Sequence, residues 1–204
     1  MSEPTRTPSA ARRWLLIIAV ALPGLLLAVA GWHHPTGLDL STAHDWWSAH
    51  VPLVPVFPLL GVALWVLLRE ETGPVAWIGK IGAYLFGCFY TALDCLAGIA
   101  AGLVLETEGR GQQSIIELIS LGDRLSYVGT VSYLVATVCV AGLLFRRAGW
   151  AVLPGAVLLI GAAVPFQTSH IFWPTGVVAM VLTGLGAGLV EWARPVRRAP
   201  LATV

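Results

Sequence analysis

Charge is what this sequence has least of. Asp, Glu, Lys and Arg make up only 11% of its 204 residues, where an ordinary soluble domain carries roughly 25%. The polar surface that would solvate a globule is missing, which argues against a soluble fold. Lys80 is the only lysine. It falls at the edge of an apolar run, so a Schiff-base chromophore in the middle of a helical bundle has no residue to hold it. The formal net charge is +1, and no basic cluster interleaved with aromatics exists to follow a phosphate backbone, so no nucleic-acid partner is expected. Cysteine is scarce too. Cys88, Cys95 and Cys139 form no CxxC pair, which removes a thiol redox motif and a thiolate zinc site. Cys88 and Cys95 stand seven residues, about 10 Å, apart on one helix and are out of disulfide reach. Walker, GxSxG and HExxH patterns are absent as well.

What is present is apolar length. A hydrocarbon core takes about 20 residues of helix to cross. The chain offers runs at about 14–31, 51–68, 81–105 and 125–145. A further uncharged stretch, 148–190, is too long for one crossing and divides at Gln167-Thr168-Ser169-His170 into 150–166 and 171–190. The expectation is an all-α membrane protein, a bundle of six transmembrane helices. Residues 1–12 read as a cytoplasmic, disordered tail, 13–192 as a single domain, and 193–204 as a basic cytoplasmic tail. Residues 114–121 read as a short outer interfacial helix, with Ser114 and Glu117 as a capping box and an apolar face of isoleucine and leucine.

The positive charges set the orientation. With both ends inside, Arg6, Arg12, Arg13, Arg69, Lys80, Arg146, Arg147, Arg194, Arg197 and Arg198 face the cytoplasm, and only Arg110 and Arg124 lie outside. A multi-pass protein of the inner membrane follows. Arg12-Arg13, an apolar stretch and Ala28-Val29-Ala30 also resemble a cleavable signal sequence. The stretch is longer than the 7–15 residues of such a segment, which favours a retained span. All nine tryptophans fall near a run boundary, as interfacial anchors do.

Chemistry is sought where polarity is costly. Asp94 lies near the midplane of the third run, where a carboxylate must face the bundle. Tyr90, Thr91, Gly87, Ala97, Gly98 and Ala101 share its helix face. On the fourth run Thr130, Tyr133 and Thr137 line one stripe with Ser126. Counting depth from the outer ends puts Tyr133 and Thr137 level with Asp94, so a hydrogen-bonded seam is expected between the two runs. Asp94, Tyr90, Thr91, Thr130, Tyr133 and Thr137 are therefore the candidates for a proton or substrate site. Outside them, His44, Asp45, His50 and His170 mark an outer vestibule, with Pro52, Pro55 and Pro58 breaking the helix entry beside it. His33, His34, His44, His50 and His170 all fall on the outer side. Imidazole and carboxylate together suit Zn²⁺ or Cu²⁺, but no HxH or HxxxH spacing joins them. No cofactor is required by this pattern, and a divalent metal remains an alternative.

The reading that follows is a small carrier or channel-like protein for a small solute or proton, built on Asp94. The alternatives are an integral-membrane enzyme acting on a lipid-soluble substrate through an outer Asp/His site, and a non-catalytic subunit of a membrane complex. Partners are the bilayer and, through Gly98/Gly102 or Gly184/Gly188, another helix or a second copy.

Overall fold

The computed structural model describes residues 10–109 and 113–195. Every regular element among them is helical: α1 (Ala10–His33), α2 (Ala43–Leu53), α3 (Phe57–Leu67), α4 (Pro74–Leu93), a π-helical segment (Asp94–Ala100), α5 (Ala101–Glu108), α6 (Gln113–Ala148), a 3-10 turn (Gly149–Val152), α7 (Leu153–Ser169) and α8 (Thr175–Ala193). Five stretches are long and apolar enough to cross a membrane: Ala10–His33, Ala43–Leu67, Pro74–Glu108, Gln113–Ser169 and Thr175–Ala193. The fourth turns at Gly149, whose φ is 64°, and α7 then packs back along α6. The expected tails, 1–9 and 196–204, lie outside the described residues.

Glycine sets the packing. α1 lies on α8 where Gly24 meets Gly184, and α7 lies on α8 where Gly155 meets Gly186. At both places a Cβ would strike backbone, so the helices approach more closely than side chains would let them. Gly184 and Gly188 rest on Ala21 of α1, while Gly98 and Gly102 rest on His50, Trp46 and Trp47 of α2. Both glycine stripes expected to receive another helix are thus filled from within the chain.

α4 and α6 form the most extensive helix pair, as expected of the third and fourth runs. Their register differs from expectation. Gly79 faces Cys139, Gly82 faces Ala136, Gly129 faces Phe89 and Tyr90, and Gly122 faces Ala97. Asp94 is therefore level with the start of the old fourth run, near 124–126, and not with Tyr133 or Thr137. The cause lies at 114–121. These residues form no separate interfacial helix; they are the first turns of the 36-residue α6. No proline stands between 113 and 125, and Gly122 is packed on Ala97, so nothing breaks the helix there. Ser114 sits inside its first turn rather than capping it.

The two ends of the bundle differ in chemistry. At one end Arg69 makes a two-pronged pair with buried Glu191, at 2.7 and 2.6 Å. Arg147 donates to Glu70 and Glu71, both at 2.6 Å. Arg194 is buried beside these acids and donates to the Leu67 carbonyl. Burial pushes the Glu70 carboxyl up, but the Arg147 guanidinium bonded to it, with Arg194 and Arg69 near, holds it below its ordinary value. The opposite end gathers the histidines.

Candidate metal centre

The π-helical segment creates the site. A π turn widens the helix by one residue and shifts the side-chain phase, and such turns recur at functional sites. Here it begins at Asp94 and ends at Ala100. The Trp46 indole N–H donates to the Ala97 carbonyl at 3.0 Å, which ties α2 to the widened segment. Gly98 then lets the His50 imidazole lie against the backbone, where any Cβ would overlap the ring. His50 is in the last turn of α2, inside the apolar stretch Ala43–Leu67 and not at the mouth of a span. The proline run acts just beyond it: α2 ends at Leu53, and Pro58 opens α3.

Three imidazoles converge there. His34 follows the end of α1, His50 comes from α2, and His170 ends α7 with φ 48°. The His34 and His50 rings are 4.7 Å apart, His50 and His170 6.1 Å, and His34 and His170 6.2 Å. In each ring Nδ1 is already held. That of His34 faces the Pro35 carbonyl at 2.7 Å, and that of His50 faces the Trp46 carbonyl at 2.7 Å. A carbonyl only accepts, so both Nδ1 atoms carry the proton and the neutral rings present an Nε2 lone pair. His170 Nδ1 pairs with the Tyr90 hydroxyl at 2.5 Å. Burial lowers the pKa of His34 against the lift from the Pro35 carbonyl, and burial with His50 and His34 nearby lowers that of His170 well below its ordinary value. Both are held as neutral imidazoles.

Asp94 closes the group. It is fully buried, and neither carboxylate oxygen has a hydrogen-bond partner among the described residues. The Nε2 atoms of His34 and His170 are buried and unpartnered in the same way. Ligand atoms from His50, Asp94 and His170 lie within 4.8 Å of one another. A tetrahedral ion with bonds of ~2.0–2.2 Å wants its donors roughly 3.4 Å apart, which small turns of these side chains would reach. The donor set, two imidazoles each held at the other nitrogen and one carboxylate, fits Zn²⁺ or Fe²⁺.

A cavity of about 390 Å³ opens beside the group. His50, His170 and Tyr90 form its inner wall; Trp46, Phe172, Leu93 and Ile119 give apolar surface, and Asp123, Ser126 and Gln167 polar surface. Among the described residues no lysine or arginine lines it. On the far side of Tyr90 the bundle is closed by Phe57, Phe86, Phe166 and Tyr133, with ring centres 4.7–6.4 Å apart.

The expected site residues divide accordingly. Asp94, Tyr90, His50 and His170 come together, and His34 joins them. The expected hydrogen bonds to Asp94 are not made. Thr130 donates to the Ser126 carbonyl, Thr137 to the Leu134 carbonyl, and Tyr90 is engaged by His170. Tyr133 packs on Phe86. Thr91 faces a separate apolar groove with Pro58 and Cys88. His33, His44 and Asp45 are exposed, and His44 pairs with Glu106 at 3.0 Å. The π segment and the place of Asp123 were not foreseen. The small residues Ala97, Gly98 and Ala101 beside a lone acid were the available hint.

No known protein family, curated protein or solved structure matches this chain.

Proposed function

We propose that this chain is an integral-membrane metalloenzyme of the outer face, holding a divalent cation between His50, Asp94 and His170. The unpartnered Asp94 carboxylate carries the reading. A buried carboxylate without a hydrogen bond is costly, and a cation shared with two imidazoles whose ligand atoms lie within 4.8 Å of it would repay that cost. A cavity lies alongside the ligands, so a substrate group can enter the ion's coordination sphere, which expands to five at catalytic sites. A metal there would supply a Lewis acid or an activated water. The chain's own residues orient it: Trp46 and Tyr90 fix the ligand rings, and Asp123 offers a carboxylate to the substrate side. A cavity with apolar walls and no Lys or Arg among the described residues suits an uncharged or cationic amphiphile entering from the outer leaflet better than a phosphorylated one.

The proposal includes six spans, with the stretch 113–169 counted as two on either side of Gly149. Both ends lie in the cytoplasm of an inner membrane, so the arginine-rich end faces inward and the histidine end outward. A carrier built on Asp94 needs a path onward to the inner side. The aromatic plug of Phe57, Phe86, Phe166, Tyr90 and Tyr133 stands in that path, which favours the enzyme.

The test is metal content. Protein purified in detergent should retain close to one equivalent of zinc or iron. His50→Ala and His170→Ala should lose it, and His44→Ala should keep it. Absence of metal from the wild type, with no thermal stabilisation by added Zn²⁺, Fe²⁺, Co²⁺ or Mn²⁺, would overturn the proposal. Proton or cation flux in proteoliposomes would restore the carrier.

A further inference from the structure

The connection from α1 to α2 brings a third imidazole beside the group, just outside the 4.8 Å span that joins His50, Asp94 and His170. The His34 side chain is 5% exposed. Its ring stands perpendicular to His50, with centres 4.7 Å apart. Its Nδ1 is committed to the Pro35 carbonyl, so the lone pair is on Nε2. That Nε2 is buried and has no partner among the described residues. Trp46 and Phe172 each pack on the ring with centres 5.1 Å away, and they fix its direction. His33, its neighbour in sequence, is exposed and turned away.

We infer that His34 is a fourth protein ligand, completing a three-histidine, one-aspartate shell, and that the bound cation thereby pins the α1–α2 connection to the bundle. The inference rests on the metal reading above and extends it. Packing alone explains the ring but not the nitrogen: a phenyl group would fill the same space between Trp46 and Phe172 without burying an unpaired acceptor. The cavity wall includes His50 and His170 but neither His34 nor Asp94. His34 and Asp94 therefore hold the ion from behind, and the cavity meets it between the other two rings.

Cobalt(II) is the probe, because four-coordinate Co²⁺ absorbs far more strongly in the visible than five- or six-coordinate Co²⁺. Metal-stripped full-length protein in detergent should bind one Co²⁺ with the intense four-coordinate spectrum. His34→Phe keeps the ring packing and removes the donor. It should still bind one Co²⁺, with affinity reduced at least about tenfold, since even groups that only steady a ligating histidine are worth that much, and the bands should shift to longer wavelength as a water oxygen takes the place of the nitrogen. His34→Gly with added free imidazole should recover the wild-type band positions. His33→Ala should match the wild type throughout. A His34→Phe protein with wild-type affinity and spectrum would overturn the inference while leaving the three-ligand centre intact. A wild type that binds no Co²⁺ would instead remove the metal reading itself. Limited proteolysis gives a second readout: Co²⁺ should protect the 34–42 connection in the wild type and not in His34→Phe, and equal protection in both would also overturn the inference.

Discussion

The His50 imidazole rests directly on Gly98, so that the backbone of the π-helical segment forms one side of the ring's cage. A methyl group at position 98 has nowhere to go, because the atoms it meets belong to a ring held at its other nitrogen by the Trp46 carbonyl.

Gly98→Ala should therefore displace His50. Overpacking of this kind costs about 1–3 kcal/mol, which a bundle of this size survives. Metal retention should fall by tenfold or more while the helical circular dichroism stays unchanged. Elemental analysis beside a thermal melt checks both. Full metal content in Gly98→Ala would show that His50 does not need this position to act.

The helices and the burial of Asp94 within the bundle are legible in the sequence, because each follows from a local cost: apolar length, and charge in an apolar run. The partners of Asp94 were not legible, because they depend on the register between α4 and α6. Treating 114–121 as a separate helix moves the top of α6 down by just over three turns, so Tyr133 and Thr137 are expected beside Asp94 when Gly122 and Ser126 belong there. The histidines carried no pattern for a different reason. His34, His50 and His170 are 16 and 120 residues apart in sequence and meet only through packing of three helix ends. The π segment leaves no mark in hydropathy at all.

The arginine-rich end should act as a structural clamp. Glu191 is 3% exposed and takes both prongs of Arg69. Removing one member of a buried ion pair leaves the other uncompensated and costs about 3–5 kcal/mol. Glu191→Gln should lower stability by that order in a denaturant titration in mixed micelles, and it should leave metal content unchanged, since the clamp is at the far end of the bundle. A change below about 0.5 kcal/mol, the ordinary surface effect, would show that the pair contributes nothing net.

The same end should respond to acid. Arg147, with Arg194 and Arg69, holds Glu70 below its ordinary value of 4.5 despite the opposing effect of burial. A carboxyl whose pKa is lowered on folding contributes stability that is complete above the unfolded value and fades as pH falls through the folded one. Thermal melts should be level from pH 7 to about 5 as far as Glu70 is concerned, and should decline below 4.5. Glu70→Gln should start lower and show a shallower decline between pH 4.5 and 3. Parallel curves for the two proteins would assign the acid response to other groups.

Asp94 offers the sharpest separation between a packing role and a metal-binding one. In metal-free protein its carboxyl is buried without a partner, so replacing it by an apolar residue of similar volume removes a cost rather than a contact. Asp94→Leu should then be as stable as the wild type, or more so, after chelation. Zinc reverses the order. A ligand that binds only the folded state at 100 times its Kd adds about 2.7 kcal/mol. The wild type should gain that much, while Asp94→Leu and Asp94→Asn should gain little, the asparagine keeping the shape but lacking the charge that holds the ion. Melting curves of the three proteins with chelator and with zinc decide it. Were Asp94 a residue that fixes helix packing, Asp94→Leu would lose stability in chelator already, and zinc would move none of the three.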